Sequence, residues 1–292
     1  MKSQKSAEAG GGKLFLVGTP IGNLEDMTYR AIRILNEVDM IAAEDTRNTI
    51  KLCNHFEIKT PLTSYHEHNL EMGGEKILAL LAEGKSVALV SDAGMPCISD
   101  PGADIAVKAL EASYDVIPVP GANAAISALV ASGLNPQPFL FFGFLSRNKK
   151  ERRSQIELLK KRQETVIFYE APHRLKETLG ALREQIEGTR KIVLARELTK
   201  RFEEFLRGNL EEAIEWVQEN QIRGEFCLVL EGSDGTHEEE QEPVWWQGLS
   251  VREHVTELIE QKGIRSKEAI REVAVTREIS RRDVYQAYHV EQ

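Results

Sequence analysis

The sequence is poor in cysteine. Its 292 residues include three, Cys53, Cys97 and Cys227, which lie far apart and form no C-x-x-C pair. This spacing argues against a disulfide framework and against a thiolate zinc site. We therefore predict buried or incidental thiols and no bound metal.

Long apolar runs are also missing. No run reaches the roughly eighteen apolar residues that a membrane span needs, and the polar residues 1–12 contain no apolar core of a signal peptide. These absences predict a cytoplasmic protein with no membrane partner. Hydrophobic residues make up 41% of the chain and charged residues 28%, as in folded globular proteins. The length predicts two domains plus an appendage.

Charge is unevenly distributed along the chain. Residues 231–242 hold six acidic residues and no Lys or Arg, which accounts for most of the formal net charge of −9. Residues 147–162 hold eight basic residues against two acidic ones. A basic segment of this density suits phosphate backbones, although for a charge run taken alone a solvated helix face is the favoured explanation.

The first half of the chain alternates strand and helix patterns. Aliphatic runs predict strands over residues 14–17, 38–42, 87–90, 116–119 and 139–142. Helical periodicity predicts helices over residues 27–37, 74–83, 104–112 and 123–132. Such alternation indicates an α/β fold with a mainly parallel sheet covered on both faces.

The second half has shorter connections and therefore more antiparallel pairing. We predict strands over 166–169, 192–196, 203–207 and 226–230, with helices over 172–185 and 210–219. Three further helices are predicted after the acidic stretch. Two of them, joined by residues 276–279, resemble a helix-turn-helix, and a plain three-helix bundle is the alternative. The predicted organisation is a flexible tail (1–12), an N-terminal α/β domain (13–145), a second α/β domain (146–232), an acidic linker (233–245) and a C-terminal helical module (246–292).

Several loops that follow predicted strands are rich in small residues. The loop at Gly18–Leu24 does not have the G-x-G-x-x-G spacing of a dinucleotide site. Ser91–Pro96 and Pro120–Ala125 follow two later strands, and Glu44 and Asp45 end another. Loops at the carboxyl ends of parallel strands are where open α/β sheets bind ligands. We therefore expect these loops to form one site.

Two other segments carry polar groups suited to a site. His66 and His68 stand one residue apart, but no third metal ligand is evident, so a polar site loop is favoured over a metal centre. The segment 168–174 combines aromatic, acidic and basic side chains at a predicted strand-to-helix turn. That mixture is unusual for a purely structural turn.

Seven ordered motifs resemble the ribosomal RNA small subunit methyltransferase I family of the tetrapyrrole-methylase superfamily. They are VGTPIGNLEDMTYRA, AEDTR, SYHEHN, SDAGMPCISDPG, VPGANAA, FYEAPHR and REL-TK, and the resemblance spans nearly the whole chain. It implies a two-domain α/β methylase with a cofactor cleft between the domains, usually a homodimer. It further implies that S-adenosylmethionine donates a methyl group to the 2′-hydroxyl of a cytidine in the decoding region of 16S ribosomal RNA.

The resemblance also assigns residues to the cofactor. The SDAG loop takes the place of the superfamily's Gly-Asp-Pro loop, and the Asn-Ala pair takes the place of its Thr-Ser after Pro-Gly. Residues of the second domain are expected near the adenine. The implied cofactor contacts are Ser91, Asp92, Ala93, Gly94, Asn123, Ala124, Tyr169, Gly224 and Glu225.

A ribose hydroxyl is a very weak acid, so a nearby group should accept its proton during transfer. Four residues are candidates for this catalytic role: Glu44, Asp45, His66 and Glu170. A structural ion pair between Asp45 and Arg47 is an equally good explanation of those two residues. Contacts with the RNA are expected from Arg47, Arg147, Lys149, Lys150, Arg152, Arg153 and Arg174.

Two other functions remain open from the sequence. The same fold supports a methylase of a small tetrapyrrole, although the first loop lacks the Gly-x-Gly-Pro-Gly pattern of that branch. A non-catalytic nucleic-acid-binding regulator, built around the C-terminal helices, would bind no methyl donor.

Overall fold

The computed structural model describes residue 4 and residues 11–235, 245–246 and 248–289. The chain divides into two compact units, Met1–Asp234 and Gly235–Gln292. The two predicted α/β domains therefore belong to one compact unit. Most of the predicted acidic linker and of the N-terminal tail lies outside the described residues. Gln4 and Gly12, within that tail, are held by the folded unit: the Gln4 side chain exchanges two hydrogen bonds with the Val116 backbone, and Gly12 is buried.

The first sheet has five strands connected by helices. In chain order its elements are β1 (Lys13–Val17), α1 (Tyr29–Glu37), β2 (Met40–Ala43), α2 (Thr46–His55), β3 (Leu62–Ser64), α3 (Leu70–Ala82), β4 (Val87–Val90), α4 (Gly102–Glu111) and β5 (Asp115–Val119). The strand order is β3-β2-β4-β1-β5, and every pairing is parallel. The predicted parallel sheet is confirmed, while α2 was missed because its sequence is mostly polar and β3 because it has only three residues.

The second sheet is mixed. Its elements are α5 (Ala124–Ser132), β6 (Phe139–Gly143), α6 (Lys149–Leu159), β7 (Thr165–Glu170), α7 (Pro172–Arg183), β8 (Lys191–Arg196), β9 (Glu204–Asn209), α8 (Leu210–Glu219) and β10 (Phe226–Leu230). The order is β6-β7-β10-β8-β9, in which β6 and β7 are parallel and the other neighbours antiparallel.

The predicted boundary at residue 145 is wrong. Strand β6 pairs with β7, so it belongs to the second sheet and not to the first. Helix α5 also packs on the second sheet, since Ala125, Ala128 and Leu129 share a core with residues of β7, β8 and β10. The change of sheet therefore falls between β5 and α5. Strand pairing is a long-range choice, and a local apolar run cannot show which sheet it joins.

Each sheet is covered on both faces, which explains the fully apolar strands. Side chains of β10 alternate: Phe226, Leu228 and Leu230 pack under α6, α7 and α8, whereas Cys227 and Val229 pack under α5. In the first sheet, one face packs against α1 and α2, and the other face packs against α3 and α4. These two layered cores hold the loops at the sheet edges in place.

The second unit contains three helices, α9 (Val251–Lys262), α10 (Ser266–Thr276) and α11 (Arg281–His289). They share one apolar core that includes Val255, Val273 and Val284. The predicted helices are confirmed, and both three-helix descriptions remain compatible with this core. No helix within the described parts of either unit is long and apolar enough to span a bilayer.

Candidate active site

Four loops meet at one edge of the first sheet because they follow the carboxyl ends of four parallel strands, β1, β2, β4 and β5. Thr19 follows β1 and exchanges two backbone hydrogen bonds with Gly94 of the loop after β4. Its buried hydroxyl donates to the Ser91 carbonyl at 3.3 Å. After β2, Glu44 Oε2 accepts from the Asp92 backbone N–H at 3.2 Å. These bonds join the loops into one surface.

Gly94 allows a close approach between two of these loops. Its φ of +78° lies in the left-handed region, and a Cβ there would stand 3.3 Å from an Ile21 methyl and 3.4 Å from the Ala122 carbonyl oxygen. Larger residues are therefore disfavoured by both conformation and space. The loop after β4 keeps its course because this position has no side chain.

A cavity of about 350 Å³ lies between these loops and the edge of the second sheet. Ten of the predicted site residues line it: Glu44, Ser91, Asp92, Ala93, Gly94, Asn123, Ala124, Tyr169, Glu170 and Glu225. Ile21, Met95 and Ala171 also line it, and they lie within loops that the sequence had indicated. Sequence reasoning missed the remaining lining residues: Ile98, Ser99, Asp100, Phe144, Ala195, Glu197, Leu198, Lys200, Phe226 and Cys227. Gly224 precedes a lining residue but does not itself line the cavity.

The cavity is rich in carboxylates. Six of them line it, against one amine, that of Lys200. The ammonium group of Lys200 donates to Glu197 and to Glu225, each at 2.9 Å. Burial lowers the pKa of Lys200, but the hydrogen bonds and negative charges of these two carboxylates together outweigh burial and raise the pKa. Six carboxylates against one ammonium group leave the lining with an excess of acidic side chains.

Glu44 lines the cavity with a half-buried carboxylate. Burial raises its pKa, and the negative charges of Asp92, Asp100 and Asp45 raise it further, while the hydrogen bond from Asp92 lowers it. A carboxylate with a raised pKa is a stronger base than an exposed one. Because that hydrogen bond also fixes the side chain, Glu44 combines position with basicity.

Asp45 and Arg47 form the structural ion pair that the sequence left open. The Asp45 carboxylate accepts from the Arg47 backbone N–H at 2.8 Å, and it pairs with the guanidinium at 2.7 Å. Asp45 is thereby the N-cap of α2, and the hydrogen bonds from Arg47 lower its pKa to about 2. Neither residue lines the cavity, so the geometry does not support a catalytic role for Asp45.

His66 does not line the cavity either. Its backbone N–H donates to Asn69 Oδ1 at 2.8 Å at the start of a short 3-10 helix, Glu67–Asn69, after β3. Strand β3 is the edge strand next to β2, so His66 follows a strand that does not contribute a loop to the cavity. The imidazoles of His66 and His68 have centroids 6.1 Å apart, and no group of metal-binding side chains occurs within the described residues.

Glu170 lines the cavity, but both of its carboxylate oxygens are engaged. Oε2 accepts from the buried Thr178 hydroxyl, and Oε1 accepts from the Ala171 backbone N–H at 2.9 Å and lies 3.5 Å from Arg174 Nε. Arg174 also donates to the Leu145 carbonyl at 2.7 Å. This network holds the loop after β6, so Arg174 is a structural residue and not an RNA contact.

The basic segment before and within α6 is mostly exposed, as predicted. Arg147, Lys149, Lys150 and Arg153 all face solvent. Arg152 was wrongly predicted as an RNA contact, because it is only 2% exposed and pairs with Glu177 of α7. Its position four residues before Ile156, also buried, places it on the inner face of the helix.

Two residues connect the sheets at the cavity. Asn123 is the N-cap of α5, where its side chain accepts from the Ile126 N–H at 2.9 Å. The Tyr169 hydroxyl accepts from the Ala125 N–H at 3.2 Å, and burial raises the pKa of this phenol to about 12. Tyr169 is therefore neutral and fixed against the start of α5.

The family described as Tetrapyrrole (Corrin/Porphyrin) Methylases matches residues 13–214. The chain belongs to this tetrapyrrole methylase family. Ribosomal RNA small subunit methyltransferase I of Bacillus subtilis is 60% identical over 281 residues, which cover 96% of this chain and 95% of that protein. The Synechocystis protein of the same name is 46% identical over 275 residues, 94% and 96% of the two chains. The relationship indicated by the seven motifs is thereby confirmed.

Solved tetrapyrrole methylases share the fold. The methyltransferase CobJ has a TM-score of 0.57 at 19% identity, covering 77% of this chain and 95% of its own. Uroporphyrin-III C-methyltransferase from Thermus thermophilus, solved in complex with S-adenyl homocysteine, has a TM-score of 0.54 at 18% identity, covering 75% and 97%. The predicted α/β methylase fold is confirmed.

Proposed function

We propose that this chain transfers a methyl group from S-adenosylmethionine to the 2′-hydroxyl of a cytidine in the decoding region of 16S ribosomal RNA. Methyl transfer as the reaction class follows from family membership and from near full-length relatives named ribosomal RNA small subunit methyltransferase I. The observation that carries the proposal is the acid-rich cavity, to which four loops of the first sheet and the edge of the second contribute.

The residues of the cavity fit this methyl donor. S-adenosylmethionine carries a sulfonium and an ammonium group against one carboxylate, so a cavity with excess carboxylates suits its net positive charge. Apolar side chains such as Ile21 and Leu198 line the same cavity and suit an adenosyl group. Gly94 lines the cavity without a side chain, so a ligand there can meet its backbone.

The chemical work of the protein is mainly to orient and to remove a proton. When bound, S-adenosylmethionine supplies a methyl group already activated by positively charged sulfur. The cross-linked loops hold the donor and acceptor positions in a fixed geometry. We assign Glu44 as the group that takes the proton of the ribose hydroxyl. Both Glu170 oxygens already accept hydrogen bonds, and Asp45 caps α2. Glu44 is therefore the candidate that the geometry supports.

The RNA substrate is supported by the exposed basic segment. Arg147, Lys149, Lys150 and Arg153 stand at and before the first turns of α6, where positive charge opposes the helix dipole. Such an arrangement is unfavourable for the helix alone, but it becomes favourable beside phosphates. We propose that these four residues contact the RNA backbone.

We also propose that the protein works as a homodimer in the cytoplasm, where small ribosomal subunits are assembled. Exposed apolar side chains on the outer face of α5 offer a contact surface, since Ile126 is 43% and Val130 is 73% exposed. Sedimentation of the purified protein, with and without charged substitutions at these two positions, tests the dimer.

Titration calorimetry followed by a competition assay tests the function. S-adenosylmethionine should bind the purified chain, which a non-catalytic regulator would not do. Radiolabelled donor should then methylate small ribosomal subunits that lack this modification, and not uroporphyrinogen. Binding without transfer to the subunits, or transfer to uroporphyrinogen, would favour the tetrapyrrole methylase over the RNA methylase.

A further inference from the structure

Phe144 is an aromatic side chain exposed at the cavity. It lines the cavity and yet remains 51% exposed. Its ring stands edge-on to that of Tyr169, with centroids 5.7 Å apart. An aromatic residue that is supported on one side and open on the other is suited to stacking against a planar ligand.

The backbone of β6 is arranged to place this ring at the cavity. Side chains two residues apart on a strand normally share a face, and Phe142 packs into the core beneath α6 and α7. Phe144 instead contacts Tyr169, which packs with the core on the opposite face. A break in register between Phe141 and Gly143 explains the change, because a β-bulge redirects the side chains that follow it.

Gly143 makes the bulge possible. Its φ is +78°, and a Cβ at this position would lie 3.1 Å from the Ser99 hydroxyl oxygen. Two arginine side chains then hold the backbone after Phe144 through hydrogen bonds to its carbonyl groups. Arg174 donates to the Leu145 carbonyl at 2.7 Å, and Arg152 donates to that of Ser146 at 3.4 Å. The backbone that carries the Phe144 ring is therefore fixed by hydrogen bonds.

Ile98 provides a second exposed apolar group on the cavity lining. It is 48% exposed and lies between Cys97 and Ser99, both of which have positive φ values. Strained backbone of this kind persists only where surrounding contacts enforce it, and it concentrates at ligand sites. Here the Asp100 carboxylate accepts from the backbone N–H groups of Cys97 and Ile98 and holds the strained turn.

We propose that Phe144, assisted by Ile98, stacks against the base of the target nucleotide after it leaves the RNA stack. This inference rests on the proposed function and adds how the substrate is held. Three residues beyond Phe144 the exposed basic segment begins at Arg147, so a nucleotide whose base meets Phe144 would have its phosphates near positive charge. Single-stranded or extruded bases are recognised in this way, by stacking on aromatic and apolar side chains.

Kinetics of three variants on small ribosomal subunits test the proposal. Phe144→Leu should leave the Kd for S-adenosylmethionine within about twofold and lower kcat/KM for subunits by about tenfold, because aromatic stacking on the base is lost. Phe144→Trp should restore most of that activity. Phe139→Leu is the matched control, since Phe139 begins the strand that Phe144 follows, is 40% exposed and does not line the cavity.

Each result has a definite consequence. Equal kcat/KM for Phe144→Leu and Phe139→Leu would overturn the stacking role while leaving the methylase assignment intact. A tenfold loss of donor affinity in Phe144→Leu would show that Phe144 contacts the cofactor, and it would also overturn the stacking role. A wild-type protein that does not methylate subunits would overturn the proposed function and the stacking role together.

A crosslinking experiment provides a readout that does not depend on activity. A photoreactive benzoylphenylalanine at position 144, in the full chain loaded with S-adenosylhomocysteine, should crosslink to the RNA at or next to the methylated nucleotide. The same group at position 139 should not. Crosslinks from position 144 that map only to distant rRNA, or none at all, would contradict the proposal.

Discussion

The two sheets contribute to the cavity in different ways. The first sheet provides loops, each of which follows the carboxyl end of a parallel strand, and these loops carry Glu44, Asp92 and Asn123. The second sheet provides strand edges and turns, which carry Tyr169, Lys200 and Phe144. Parallel topology gathers loop ends at one edge, whereas the mixed sheet has its chain reversals at both ends.

This difference suggests a division of labour. The polar loops of the first sheet are cross-linked by backbone hydrogen bonds, which suits them to hold the methyl donor and the proton acceptor. The aromatic edge of the second sheet leads into exposed basic residues, which suits it to hold RNA. Variants on the two sides should therefore affect different steps.

The largest effect is expected from Glu44→Gln on the first sheet. Loss of a general base should lower kcat by about a hundredfold, with the Kd for S-adenosylmethionine nearly unchanged. In the wild type kcat should fall as the pH drops through a pKa above 4.5, because burial raises the pKa of Glu44 and protonation removes the base. The variant should lack this acid limb. Asp45→Asn is the control, and a loss equal to that of Glu44→Gln would remove the catalytic assignment.

Gly94→Val should weaken binding of S-adenosylmethionine tenfold or more, since about 1.4 kcal/mol of steric cost gives that factor. Gly84→Val is the matched control: Gly84 has a similar φ of +79°, but a Cβ there meets nothing within 4 Å. Calorimetry separates the two effects. If Gly94→Val binds the donor as tightly as Gly84→Val, the loop after β4 does not contact the donor.

On the second sheet, replacing Arg147, Lys149, Lys150 and Arg153 with Ser should weaken RNA binding by roughly fivefold and flatten its salt dependence. Donor affinity should not change. Arg152→Ser should behave differently, lowering the melting temperature through loss of its buried contacts with Glu177 and the Ser146 carbonyl. If the salt dependence of RNA binding is unchanged in the variant with four substitutions, the basic segment is only a solvated helix face.

The smallest effect is expected where the two sides meet. Tyr169→Phe removes the hydroxyl that accepts from the Ala125 N–H, a bond of about 1 kcal/mol. Calorimetric melting should show a decrease of roughly 2–4 °C for a unit of this size, with donor affinity changed less than threefold. A large loss of donor affinity would instead make the hydroxyl a direct contact of the cofactor.

The contrast between the sheets also explains what sequence could predict. Loops after parallel strands are ordered by topology, so Ser91, Asp92 and Asn123 could be placed at one site from strand order and the family motifs. Arg152 could have been recognised as buried from its helical spacing with Ile156 and Leu159. The helical spacing indicated a buried position, but the high density of basic residues around Arg152 led to the prediction of an RNA contact.

Other features depend on long-range geometry. The redirection of Phe144 results from a bulge against β7, and nothing in the local sequence shows how β6 pairs. The ion pairs of Lys200 join residues 3 and 25 positions away, across a turn and a neighbouring strand. The capping of α2 by Asp45 could not be inferred while α2 itself was unrecognised.

The position of the transferred methyl group tests the central claim most directly. Small ribosomal subunits methylated by the wild-type protein with labelled S-adenosylmethionine would be digested to nucleosides and separated by chromatography. Label recovered as 2′-O-methylcytidine, and lost with Glu44→Gln, is the predicted result. Label on a nucleobase, or no label in RNA from subunits that lack the modification, would contradict the account.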